Sequence, residues 1–71
     1  MRRKSQRLQV ESDGEWLLLA RKKLGMTQRE MAKALDVSTV TLSNIENDKA
    51  DLSPFLKEKV LKLLRDAKVI D

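Results

Sequence analysis

Gln28-Arg29-Glu30-Met31-Ala32-Lys33-Ala34-Leu35-Asp36-Val37-Ser38-Thr39-Val40-Thr41-Leu42-Ser43-Asn44-Ile45-Glu46-Asn47 is the stretch that decides the fold. It opens behind Thr27, with Glu30 three places later, a capping-box spacing in which each side chain satisfies the other's backbone N–H. Met31, Ala32 and Leu35 then form an inward stripe and leave Arg29, Glu30 and Lys33 outside. Three residues, Leu35, Asp36 and Val37, separate this helix from the next cap, Ser38. Beyond it Leu42 and Ile45 face inward, and Thr39, Val40, Ser43, Asn44 and Asn47 hold the opposite stripe. Two short helices joined so closely must cross steeply, which demands a small side chain where they touch; Ala32 sits there. The turn wants a positive φ, and Asp36 is the candidate. Val37, Leu42 and Ile45 pin the second helix to the rest.

The flanks extend the same pattern. Ser12, followed by Glu15, is another capping-box spacing, and from Trp16 the chain reads helical. Leu17, Ala20, Arg21 and Leu24 share one face, and Gly25 suits the left-handed residue that ends the helix. After the loop at 47–52, Ser53 and Pro54 start another helix as N-cap and first helical residue. Leu56, Val60, Leu63, Leu64 and Ala67 line its buried face. No alternating β-branched run and no repeat appears, so the fold is expected to be all-α. Residues 1–11 are polar, charged and without period, and read as a flexible basic N-terminal arm. Residues 12–71 read as a single domain.

Composition narrows the chemistry. The chain has 71 residues, no cysteine and no histidine. It therefore has neither disulfides nor thiolate metal ligands, and it lacks the commonest general base. Its carboxylates are scattered, its serines lack a basic partner, and no glycine-rich phosphate loop is present. An enzyme, a cofactor and a small-molecule ligand are not expected. No apolar run reaches membrane-spanning length, and no signal-peptide core follows the basic N-terminus. A cytoplasmic protein is the expectation. The net charge is +4, with fifteen basic and eleven acidic residues. Arg2, Arg3, Lys4 and Arg7 precede the first acid, Glu11, so the excess lies at the start of the arm, and from residue 8 onward basic and acidic residues balance at eleven each. Such a tail suits nucleic acid, although many basic tails are merely solvated.

Two helices joined in this way form a helix-turn-helix. Arg21, Leu24, Gly25, Thr27, Gln28, Met31, Ala32, Val37, Ser38, Leu42, Ile45 and Glu46 together resemble the Cro/C1-repressor (XRE) type over roughly residues 15–65. The resemblance implies a compact four-to-five-helix lambda-repressor-like DNA-binding domain. It also implies a first motif helix on the DNA backbone, a second in the major groove, and two-fold dimers. Asp36 and Asp48 depart from the family's usual glycines. At Asp36 the expected strain is on the order of 1 kcal/mol, because Asp tolerates the left-handed region better than most residues.

The base-reading candidates are Thr39, Val40, Ser43 and Asn44. Asn pairs with adenine, Ser and Thr are less selective, and an exposed Val suits a thymine methyl; without an arginine on this face, A/T-containing contacts are expected. An ordinary exposed aliphatic residue is the bland alternative for Val40. Thr27 and Gln28, at a helix start, together with Ser38, Asn47 and Lys49, are candidates for the DNA backbone. Simple helix capping is the alternative for Thr27 and Gln28. Arg21 falls on an inward stripe where a lone charge would be costly, and the resemblance pairs it with Glu46 as a structural ion pair. The arm could reach a neighbouring groove or remain free in solvent. Lys57, Lys59 and Lys62 read as a solvated face.

One recognition helix spans few base pairs, so a homodimer on a palindromic double-stranded operator is expected. Phe55, Leu61, Val69 and Ile70 are candidate dimer contacts, with wrapping over the chain's own core as the alternative. The leading expectation is a small transcriptional repressor of phage or mobile-element type, in a bacterial or phage-infected cell. The alternative is an antitoxin or adaptor that uses the same fold mainly to grip a protein partner.

Overall fold

A computed structural model describes residues 12–69. Among them are four helices and no strand: α1 (Asp13–Leu24), α2 (Gln28–Leu35), α3 (Thr39–Glu46) and α4 (Pro54–Asp66). Each starts on a hydroxyl residue in extended conformation. Ser12, Thr27, Ser38 and Ser53 accept from the backbone N–H of Glu15, Glu30, Thr41 and Leu56 respectively. At Thr27 the box is reciprocal: Thr27 N–H donates to Glu30 Oε1 at 2.8 Å, and Glu30 N–H to Thr27 Oγ1 at 3.1 Å. Acids in the first turn of α1 and bases in its last complement the helix dipole.

The helices stop where the backbone turns left-handed. Gly25 (φ 69°) closes α1, and Met26 N–H then donates back to Arg21 O at 3.1 Å. Asp36 (φ 60°) does the same for α2, with Val37 N–H on Ala32 O at 2.9 Å. At the end of α4 the left-handed residue is Lys68 (φ 59°), and Val69 N–H donates to Leu64 O at 2.9 Å. These backward bonds satisfy carbonyls that have no partner inside the helix. Asp36→Gly should therefore relieve a non-glycine side chain in the left-handed region and add about 1 kcal/mol of stability. That gain corresponds to roughly 4–8 °C in Tm for a domain of this size, read by thermal circular dichroism. An unchanged or lower Tm would mean that the Asp36 carboxylate contributes more than its backbone costs.

Leu17 and Ala20 from α1, Met31, Ala32 and Leu35 from α2, Leu42 and Ile45 from α3, and Val60 and Leu64 from α4 form the core. Leu52, from the loop before α4, completes it at 7 % exposure. Periodicity gave no reason to place a loop residue there. α3 packs against both α1 and α2, and α4 against the same two helices, so α3 is held from two sides. Ala67 does not join the buried face of α4: the helix has ended, and Ala67 is an exposed cap. Lys57 Nζ lies 5.4 Å from the centre of the half-buried Trp16 ring, linking α4 to α1 through a cation–π contact.

Candidate nucleic-acid interface

α3 carries two faces of opposite character. Leu42 and Ile45 are at most 2 % exposed. Thr39, Val40 and Asn47 are exposed, and Ser43 and Asn44 are half-buried beside them. Val40 is 67 % exposed, one of the few large apolar side chains left in water. The stripe contains no charged residue, because the only ionised group of α3 is Glu46, at its end. It thus offers hydroxyls, two carboxamides and a branched aliphatic group, a set matched to base edges more than to phosphates. Asn47 Nδ2 donates to Ser43 O at 2.8 Å and reaches Ser43 Oγ at 3.3 Å, which ties the two side chains together.

Around this stripe stand the ends of other elements. Ser38, the exposed cap of α3, donates its hydroxyl to Thr41 Oγ1 at 2.9 Å while accepting from Thr41 N–H. Lys49 is exposed in the loop after α3, and its N–H donates to Asn44 O at 2.7 Å. The backbone there is anchored to the helix while the ammonium group is left in solvent. Thr27 caps α2 in full exposure, and Gln28 follows, half-buried. Gln28 and Arg29 N–H lie in the first turn of α2, where no intrahelical acceptor exists, and have no partner among the described residues. Such a turn favours an anion.

Arg21 and Glu46 meet across α1 and α3. Arg21 Nε donates to Glu46 Oε2 at 2.8 Å and Nη2 reaches Oε1 at 3.4 Å, with side chains 14 % and 5 % exposed. Arg21 Nη1 donates to Met26 O at 2.9 Å. Sequence reasoning did not anticipate the third partner: Gln28 Nε2 donates to Glu46 Oε1 at 2.9 Å. Nothing in helical periodicity places the first residue of α2 against the last residue of α3.

A second contact also escaped the sequence. Asp48, left-handed at φ 61°, turns its Oδ1 to Gly14 N–H at 3.2 Å. The carboxylate thus serves the N-terminus of α1 by hydrogen bond and favourable dipole. The available signal was Gly14 itself, a weak helix former standing in a first turn for no local reason.

Of the candidate dimer contacts, Leu61 and Val69 are half-buried against the chain's own core. Val69 is drawn in by the turn at Lys68. Phe55 differs: it is 68 % exposed at the start of α4, with Lys59 Nζ 4.9 Å from its ring centre. Ile70 and the basic arm lie outside the described residues.

Among the described residues no group of acidic side chains is placed to hold a metal ion, and no helix is long and apolar enough to cross a membrane. Searches among curated proteins and among solved structures gave no match. The helix-turn-helix family model matches residues 17–65. That span runs from the core residue Leu17 through both motif helices and nearly to the end of α4, and so covers most of the chain. The chain belongs to the Cro/C1-repressor (XRE) type of helix-turn-helix proteins, a DNA-binding regulatory family.

Proposed function

We propose that this protein is a sequence-specific double-stranded DNA-binding transcriptional regulator, a small dimeric repressor that reads the major groove with α3. The observation that carries the reading is the uncharged outward stripe of α3, with Val40 exposed among Thr39, Ser43 and Asn44. Thr39, Val40, Ser43 and Asn44 contact base edges. Thr27, Gln28, Ser38, Asn47 and Lys49 contact the sugar–phosphate backbone on either side. The described fold brings only a small positive excess to this task, so the four basic residues of the arm supply much of the long-range attraction. A second copy, with its recognition helix about 34 Å away, doubles the length of sequence read and makes the operator palindromic. Phe55 is the natural anchor of that contact, as a large exposed aromatic beside the loop that follows α3. Occupancy of the operator blocks transcription.

Selection from random duplexes at physiological salt, followed by sequencing, tests this. The expected result is a short palindrome with half-sites about 10 base pairs apart, rich in A·T pairs. Asn44→Ala and Ser43→Ala should each cost about 1–3 kcal/mol of discrimination at one symmetric pair of positions. No enriched motif, with binding abolished by modest salt, would leave only charge attraction. Exposed Phe55 would then favour the antitoxin or adaptor reading.

A further inference from the structure

We infer that Glu46 is a positioning residue for DNA binding: it fixes the side-chain amide of Gln28 so that an N–H, and not the carbonyl oxygen, is presented to a phosphate. The inference rests on the reading of Gln28 as a backbone contact. A glutamine amide has a donor end and an acceptor end of nearly equal shape, and either can be rotated outward. An amide with free choice spends part of its time with the oxygen toward the anion, which repels it. Glu46 removes that choice. A carboxylate only accepts, so the group at 2.9 Å from its Oε1 must be the Gln28 NH2. One N–H is taken by Glu46, and the second is left to donate elsewhere.

The carboxylate is itself held in place. Arg21 grips both its oxygens from α1, and Arg21 is tied in turn to Met26 O in the turn before α2. The Glu46 charge is thereby balanced before a phosphate approaches. The side chain is 5 % exposed, so solvent cannot easily compete for it. The arrangement also joins the first residue of α2 to the last residue of α3, so the phosphate anchor is fixed to the helix that carries the base-reading stripe.

The effect of Glu46→Gln on affinity separates this role from simple electrostatics. Removing a negative charge near DNA should tighten binding, and through charge alone it would. Positioning requires the opposite: weaker binding by about tenfold, the scale of one hydrogen bond to a charged acceptor. The loss should be equal on the best-enriched duplex from the selection and on a duplex of unrelated sequence, because phosphates carry no base identity. Gln28→Met should produce the same loss with an unchanged salt slope, since a neutral donor displaces few counterions. In the Gln28→Met background, Glu46→Gln should cause no further weakening.

Each variant is compared at a temperature where circular dichroism shows it folded. A loss from Glu46→Gln that persists in the Gln28→Met background would overturn the inference and make Glu46 merely a support for α3. Wild-type protein supplies a check that needs no mutant. On adding the enriched duplex, one of the two Gln28 Nε2 protons should move in the NMR spectrum and its partner should stay. If neither moves while α3 amides do, Gln28 is not presented to the phosphate and the inference falls. Wild-type protein that binds neither duplex overturns the DNA-binding reading together with this one. Wild-type binding that is indifferent to Gln28→Met overturns this one alone.

Discussion

Arg21→Met is expected to lower the free energy of unfolding by about 2–3 kcal/mol, between the cost of stranding one member of a fully buried ion pair and that of breaking a surface bridge, because the pair is partly buried. A chain of this length has roughly 4–11 kcal/mol in total, at about 0.05–0.15 kcal/mol per residue. The substitution should therefore remove a large fraction of its stability. Methionine keeps much of the arginine stem's volume, so the loss is chiefly polar. Glu46, 5 % exposed, would retain only the Gln28 amide, and Met26 O would lose the Arg21 Nη1 donor. Urea unfolding checks this through the single tryptophan, Trp16, in the α1–α4 contact. Adding Glu46→Leu to the Arg21→Met variant should recover most of the loss, because a buried pair replaced by apolar groups is often neutral or better. If Arg21→Met costs less than about 1 kcal/mol, the pair behaves like a screened surface bridge and the argument for its burial is wrong.

The sequence disclosed what depends on neighbours along the chain. Four hydroxyl caps, the left-handed turn at Asp36 and the inward residues of α2 and α3 are local matters of φ, ψ and helical period. They were readable because the same few residues both cause and reveal them. The outward stripe of α3 follows from the same period once Leu42 and Ile45 are known to face in. What remained hidden depends on distance between elements. Gln28 against Glu46 and Asp48 against Gly14 are contacts between segments 18 and 34 residues apart. No single-helix pattern specifies which end of α3 meets α1. Leu61 and Val69 illustrate the same limit. On a helical wheel Leu61 falls off the buried stripe, yet a core this small is covered partly by residues at its margins. Phe55 lies off the stripe as well, but at the first turn of α4 none of the other described helices covers it.

Gly14→Ala tests the hidden geometry most directly, because local and tertiary reasoning give it opposite signs. Helix propensity alone makes the change stabilising by about 1 kcal/mol. Packing forbids it. A Cβ on Gly14 would stand 2.6 Å from Asp48 Oδ1 and 2.8 Å from Glu46 O, and closer still to Ile45 O. Two of these are backbone oxygens at the end of α3, so relief requires moving the recognition helix or the start of α1. Overpacking of this kind costs about 1–3 kcal/mol, and with three oxygens involved the top of that range is expected. The net loss should be about 2 kcal/mol in urea unfolding, after allowing for the gain in propensity. Gly25→Ala offers the contrast: nothing lies within 4 Å of its added methyl, and its cost is the left-handed φ of 69° alone. In an Asp48→Ala background the carboxylate is gone but Ile45 O and Glu46 O remain, so Gly14→Ala should still destabilise. A Gly14→Ala protein as stable as wild type would mean that α1 and α3 can separate at no cost. The end of α3 would then be held by the Arg21, Glu46 and Gln28 contacts and by the burial of Ile45.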